Sequence, residues 1–284
     1  MFLHLTSRLR GEVATVQKAL VMADGVRNLL TNLRASLLAV PPELSEGADD
    51  KSRAEYGLAT LLPQEPGKRD WQIYDHCAAL TRLYSVYEQF IGELVGEYVR
   101  LLPKLYVKYS DLPACVANQH RIGIGHILLK IGEKGPYKDL DEDVVVRELA
   151  AGLSGASGYS LLTNAFFIDR QNLRFSMLCT LLGQLGLSNC GGYINRHFAI
   201  ANFIKDERAG NSSAEKELQD FIEYRNEAAH RKVDNVIGLD AIAAIGRFLV
   251  ALGEAISDLV EEGILRRRME LGILAERFAW VPQK

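Results

Sequence analysis

Apolar residues recur at three- and four-residue intervals over most of the chain. Between residues 3 and 39 the stripe runs through Leu5, Leu9, Val13, Val16, Leu20, Val26, Leu29, Leu30, Leu33 and Leu37. That spacing predicts a long amphipathic helix. Pro41 and Pro42 stop it, because proline lacks the backbone donor and restricts the residue before it. Residues 41–69 are rich in Pro, Gly and charge and read as a linker or long surface loop. A second long helix begins near Asp70, a suitable N-cap. It carries Ile73, Cys77, Leu80, Tyr84, Tyr87, Ile91, Leu94, Val95 and Tyr98 to about Leu102, where Pro103 bends or ends it.

Shorter helices follow at 112–131 (weakened by Gly123 and Gly125), 141–153 and 169–187. The acidic residues that open 141–153 suit the positive end of a helix. One or two brief helices lie within 188–204, broken by Gly191 and Gly192. Another is capped by Ser212 or Ser213, and a last long one spans 238–278, with an interruption at Gly263. No alternating strand pattern and no internal repeat emerges. The expected fold is all-α, a helical bundle with long antiparallel helices. The expected organisation is an N-terminal helix (1–40), a linker (41–69), a main helical domain (70–262) and a C-terminal helical extension and tail (263–284).

One position breaks the pattern. In "DFIEYRNEAAHRKV", residues 220–233, the stripe of Leu218, Phe221 and Ile222 continues one turn later to Arg225. A buried charge costs several kcal/mol unless it is paired. Either Arg225 is a structural ion-pair partner or this face is not a simple core.

The bulk composition narrows the alternatives without choosing among them. The chain has 284 residues, 48% hydrophobic and 24% charged, with a formal charge of −3. Nothing global advertises nucleic acid, so such a ligand needs a local basic patch. Cys77, Cys115, Cys179 and Cys190 are scattered without a C-x-x-C pair and read as small core residues of a reduced, cytoplasmic protein. No run is long and apolar enough for a membrane span, and the N-terminus has no signal-type core. "GLSGASG" at 152–158 lacks the Lys-Ser/Thr of a phosphate loop and follows no strand, so it is a turn. The six histidines form no H-E-x-x-H or clustered pattern, and no metal or other cofactor is expected. No G-x-S-x-G or other nucleophile context appears.

An arginine followed by a histidine, with four to six residues between, occurs at Arg69/His76, Arg121/His126 and Arg225/His230. Only the last pair sits on one strong helix. Asn226 and His230 are one turn apart there, Arg225 projects beside them, and Ala228 and Ala229 leave room for another surface. Glu227 and Arg231 can pair on the outer face. The structural alternative is an arginine paired to a buried acid and a histidine set against the helix dipole.

"YRNEAAH" resembles the R-x4–6-H signature of the HEPN superfamily. Together with "HCAALTRLYSVYEQFIGELVGEYV", "QHRIGIGHILLKIG", "GPYKDL" and "FFIDRQNLR" it resembles the RiboL-PSP branch, over about residues 70–260. The resemblance implies an α-helical bundle acting as a homodimer, with two Arg/His motifs in one composite cleft. It implies a metal-independent endoribonuclease, with tRNA as the family-level substrate, in a toxin-like role in bacterial antiviral defence. A neighbouring defence or antitoxin protein is the further partner it suggests. The catalytic roles fall on Arg225, Asn226 and His230. Histidine titrates in the right range for proton transfer, and arginine forks onto phosphate oxygens. Glu88 is expected at the polar margin of its helix, holding Arg225. His120, Arg121, Lys130 and Lys134 are expected to supply local positive charge. The other reading the resemblance allows is a non-catalytic HEPN module for dimerisation or partner binding.

Overall fold

The computed structural model describes residues 1–39, 49–61, 67–132, 137–155, 158–167, 173–229 and 236–272. Among them are ten α-helices and no strand: α1 (Leu3–Ala39), α2 (Asp50–Leu61), α3 (Lys68–Leu105), α4 (Ala114–Lys130), α5 (Glu142–Leu153), α6 (Phe175–Gln184), α7 (Cys190–Arg196), α8 (Phe198–Arg208), α9 (Ala214–Ala229) and α10 (Leu239–Glu270). The all-α bundle expected from the periodicity is what the chain forms. None of these helices is long and apolar enough to cross a membrane.

The two central helices, α3 and α10, each bury a continuous apolar face, and α1 lies antiparallel along both. Its stripe of Leu5, Leu9, Val13, Val16 and Leu20 is buried in the common core. Polar contacts zip its flanks. The amine of Met1 meets Glu261 at 2.6 Å, Arg10 meets Glu254 at 2.7 Å, and Gln17 donates to Ala243 O at 3.2 Å. Toward α3, His4 meets Glu97, Arg8 meets Glu93 and Arg27 meets Asp75. Close approach is possible because α10 presents Gly253, where a Cβ would overlap Leu9. The N-terminal helix is therefore part of the bundle's own core.

Four local readings change. Residues 50–61, inside the stretch read as linker, form α2 and pack on α1. Pro103 does not end α3, which continues to Leu105; so near the helix end, proline removes only one late hydrogen bond. Gly263 does not interrupt α10: it is a contact point at which any Cβ would overlap Leu187. The helix expected to reach 187 ends at Gln184 instead, in a turn where Leu187 N–H donates to Leu182 O at 2.9 Å.

Candidate functional site

Helix α9 begins with Ser213, whose Oγ accepts the Lys216 N–H at 3.2 Å. One turn in, the buried Glu217 carboxylate holds Arg208 and Ser212. Leu218, Phe221 and Ile222 are then fully enclosed against α3, as their spacing demands. The antiparallel crossing of α9 on α3 brings the next turn onto Tyr84.

Arg225 lays its guanidinium over the Tyr84 ring, 4.0 Å from the centroid. Phe221, one turn earlier on α9, tilts against the same ring at 6.1 Å. Tyr84 is thus spanned by an aromatic and a cation four residues apart. This is why a charge can occupy the stripe: the ring's negative face receives the guanidinium where an aliphatic side chain would otherwise pack. Arg225 also donates from Nη1 to Asn226 Oδ1 at 3.0 Å, so these two side chains act as one unit.

Glu88 reaches this unit through the same tyrosine. The Tyr84 hydroxyl accepts the Leu173 N–H at 3.0 Å and hydrogen-bonds Glu88. Burial, with Glu88 adding and Arg225 opposing, pushes the Tyr84 hydroxyl up to about 12. Glu88 also lines an open cavity of ≈ 650 Å³ with Gln89, Asn164 and Phe167. The result is a relay of Glu88, Tyr84, Arg225 and Asn226 across two helices.

A second buried group lies near the end of α9. His76 on α3 is 1% exposed, and its Nδ1 accepts the Ile237 N–H at 3.2 Å. Burial lowers its pKa, while Glu227 on α9 pulls the other way. Glu227 is half-buried, with its Oε2 enclosed; the pair expected between Glu227 and Arg231 involves a residue outside the described ones. His230, Arg231 and Lys134 lie outside the described residues.

The secondary candidates separate. His120 is fully enclosed and supplies no positive charge: its Nε2 accepts the Leu162 N–H at 3.0 Å, and its Nδ1 faces Tyr109 Oη at 3.1 Å. A neutral ring protonated on Nδ1 satisfies both contacts, and burial pushes the pKa down to about 4. Arg121 is exposed on α4 and bonds Ala117 O and Asn118 of its own helix. Lys130 is exposed in the last turn of α4. Helices α4 and α9 share only α6 among the main neighbours described: α4 also meets α5 and the 3-10 turn Thr163–Phe166, whereas α9 meets α3, α7 and α10.

His120 carries a pH prediction. Its folded pKa lies below the unfolded value near 6.5, so the unfolded chain binds the proton first. Stability is therefore lost as pH falls from about 6.5 to about 4, by ~3 kcal/mol when complete. His76 adds to the loss in the same direction. Urea unfolding at pH 7 and pH 5 should show the loss in the wild type and a smaller one in His120→Asn. Equal losses in the two would remove His120 as the source.

Sequence reasoning singled out Arg225 and Asn226 as candidates; it did not single out Tyr84 or set His76 near α9. Tyr84 was legible only as one member of an apolar stripe, and His76 only as half of a weak Arg/His spacing.

The chain matches the family model described as RiboL-PSP-HEPN over residues 57–262, a span running from α2 to α10 and containing Tyr84, Arg225 and Asn226. No curated protein and no solved structure matches it. With an all-helical bundle and a family match over most of its length, the chain belongs to the RiboL-PSP-HEPN family and carries a HEPN module, a type of domain that is frequently an RNase.

Proposed function

We propose that the chain is a metal-independent endoribonuclease of the HEPN type. The observation that carries this reading is the placement of Arg225. A cation set on the apolar face of α9, held by Tyr84 and joined to Asn226, stands at the head of the motif that ends in His230. A helix needed only for packing would place an aliphatic residue there.

The chemistry follows from the residue types. RNA brings its own nucleophile, the ribose 2′-OH. A histidine takes the 2′-OH proton as oxygen attacks the adjacent phosphorus, and a proton is delivered to the departing 5′-oxygen. His230 carries this proton transfer, with its counterpart from a second copy in a dimeric cleft. Arg225 forks two N–H groups onto the phosphate oxygens and stabilises the charge that builds there. Asn226 orients the 2′-OH or the phosphate, and Glu88 steadies the arginine through Tyr84. The products carry a 2′,3′-cyclic phosphate and a 5′-OH. The substrate is RNA, with tRNA the first candidate, and the setting a toxin-like effector of antiviral defence held in check by a neighbouring protein.

A second reading, a non-catalytic HEPN module for dimerisation or partner binding, draws support from charge. The chain carries a net −3, Glu88 lies beside the Tyr84 on which Arg225 rests, and Glu227 acts on His76. Acidic surroundings oppose the approach of a phosphate backbone.

Incubating total RNA and purified tRNA with the wild type in EDTA, beside His230→Ala, separates the two. Cleavage in EDTA that the variant loses, with cyclic-phosphate and 5′-OH ends, is the expected result. A folded dimer that leaves RNA intact favours the binding module.

A further inference from the structure

The far end of the bundle holds a cavity of ≈ 510 Å³ whose lining includes Tyr106, Leu187, Tyr193, Arg196, Arg266 and Arg267. It is framed by the end of α3, the turn between α6 and α7, and the last turns of α10. It shares no residue with the relay around Arg225.

Arg267 is the unusual member. It is 6% exposed, yet its hydrogen-bond partners are neutral. Nη2 donates to Leu185 O at 2.8 Å and Gly186 O at 3.3 Å, and Nη1 donates to Tyr106 Oη at 3.3 Å. The guanidinium also lies 5.8 Å and 6.0 Å from the ring centroids of Tyr98 and Tyr106. Enclosing a full charge costs several kcal/mol unless an opposite charge answers it. The carbonyls of Leu185 and Gly186 stand at the C-terminal end of α6, where the helix dipole supplies roughly half a negative charge. Among the described residues no carboxylate forms an ion pair with Arg267 to answer the rest.

The exposed Arg196 and Arg266 line the same cavity, and neither forms an ion pair with a described residue. Two acids also line it. Glu262 accepts the Tyr193 hydroxyl at 2.7 Å, and Glu270 sits at the end of α10. Cations outnumber acids, and the enclosed group is a cation. Tyr106, Pro113, Leu187 and Leu259 supply an apolar wall beside them.

We propose that this cavity binds a small phosphate monoester of nucleotide size, with Arg267 at its floor and Arg196 and Arg266 at its mouth. Planar guanidinium groups match the oxygens of a phosphate, and the volume falls within the range of about 300–1,000 Å³ usual for small-molecule pockets. The apolar wall accommodates the organic part of the ligand. The site needs neither RNA cleavage nor the Arg225 motif.

Isothermal titration of the full chain with adenosine 5′-monophosphate, adenosine and inorganic phosphate tests this. The monophosphate should bind at millimolar concentration or below, inorganic phosphate more weakly, and adenosine not at all. The Arg196→Ala/Arg266→Ala double variant should melt like the wild type and bind the monophosphate at least tenfold more weakly. Because Arg267 helps hold α6, its replacement risks unfolding, and the mouth variant therefore carries the test. Absence of monophosphate binding, binding of adenosine as tight as of its monophosphate, or undiminished binding by the double variant would each overturn the proposal.

Discussion

Arg225→Ala is expected to lower RNA cleavage by about 100- to 1,000-fold, the usual effect of removing one donor that stabilises transition-state charge. Its cost to the fold should be far smaller. The variant loses the stack on Tyr84 and the bond to Asn226, together about 1–2 kcal/mol. At about 2–4 °C per kcal/mol for a chain of this size, that is a modest shift in Tm. Arg225→Lys separates charge from shape. Lysine keeps the cation but offers a point charge in place of a planar fork, so it should recover only part of the rate. Single-turnover cleavage read beside thermal melts makes the distinction. If the alanine variant cleaves like the wild type, the arginine has no role at the phosphate and its place on the stripe is purely structural.

Gly123→Ala is expected to be the most damaging alanine substitution among the described glycines. A Cβ at that point would overlap the carbonyl oxygen and the backbone of Ala165 in the 3-10 turn. The obstacle is main chain, so no rotamer change relieves it. The same Ala165 oxygen accepts the Gln119 amide at 3.1 Å, and displacing it strands a buried donor. Overpacking and a broken bond together cost about 3 kcal/mol or more. Gly125→Ala, two residues on in the same helix, meets nothing within 4 Å and should stabilise by about 1 kcal/mol. Denaturant unfolding of the two variants should move in opposite directions. A Gly123→Ala protein as stable as the wild type would mean that α4 stands further from that turn than described.

These two glycines show where sequence periodicity stops being informative. Both weaken α4 in the sequence, and nothing local says that one is indispensable and the other is not. Helices α3 and α10 were legible because each buries a continuous stripe, and α9 through Leu218, Phe221 and Ile222. The stripe of α1 is buried only from Leu5 to Leu20, and Val26 and Leu29, which its spacing also assigned to the core, are exposed. The misplaced charge at Arg225 was visible too, but its partner was not. Tyr84 is remote in sequence and looks like any other aromatic on its stripe. His120 misled for the same reason, since its partners Tyr109 and Leu162 belong to other elements and only their convergence buries it. Helix α2 went unseen because the prolines and glycines around it dominate the composition of residues 41–69.

The antiparallel seating of α1 along α10 joins the chain's first residues to its last long helix, Met1 to Glu261. During synthesis the two are separated by some 260 residues. Helix α1 leaves the ribosome first, with an apolar stripe whose cover on one side has yet to be translated. Helix α9, bearing Arg225, emerges before α10 as well. A product stalled between them would carry the motif on an unclosed bundle and present its open core to chaperones and proteases. The RNA cleavage proposed above would in this way be confined to chains whose α10 has been made.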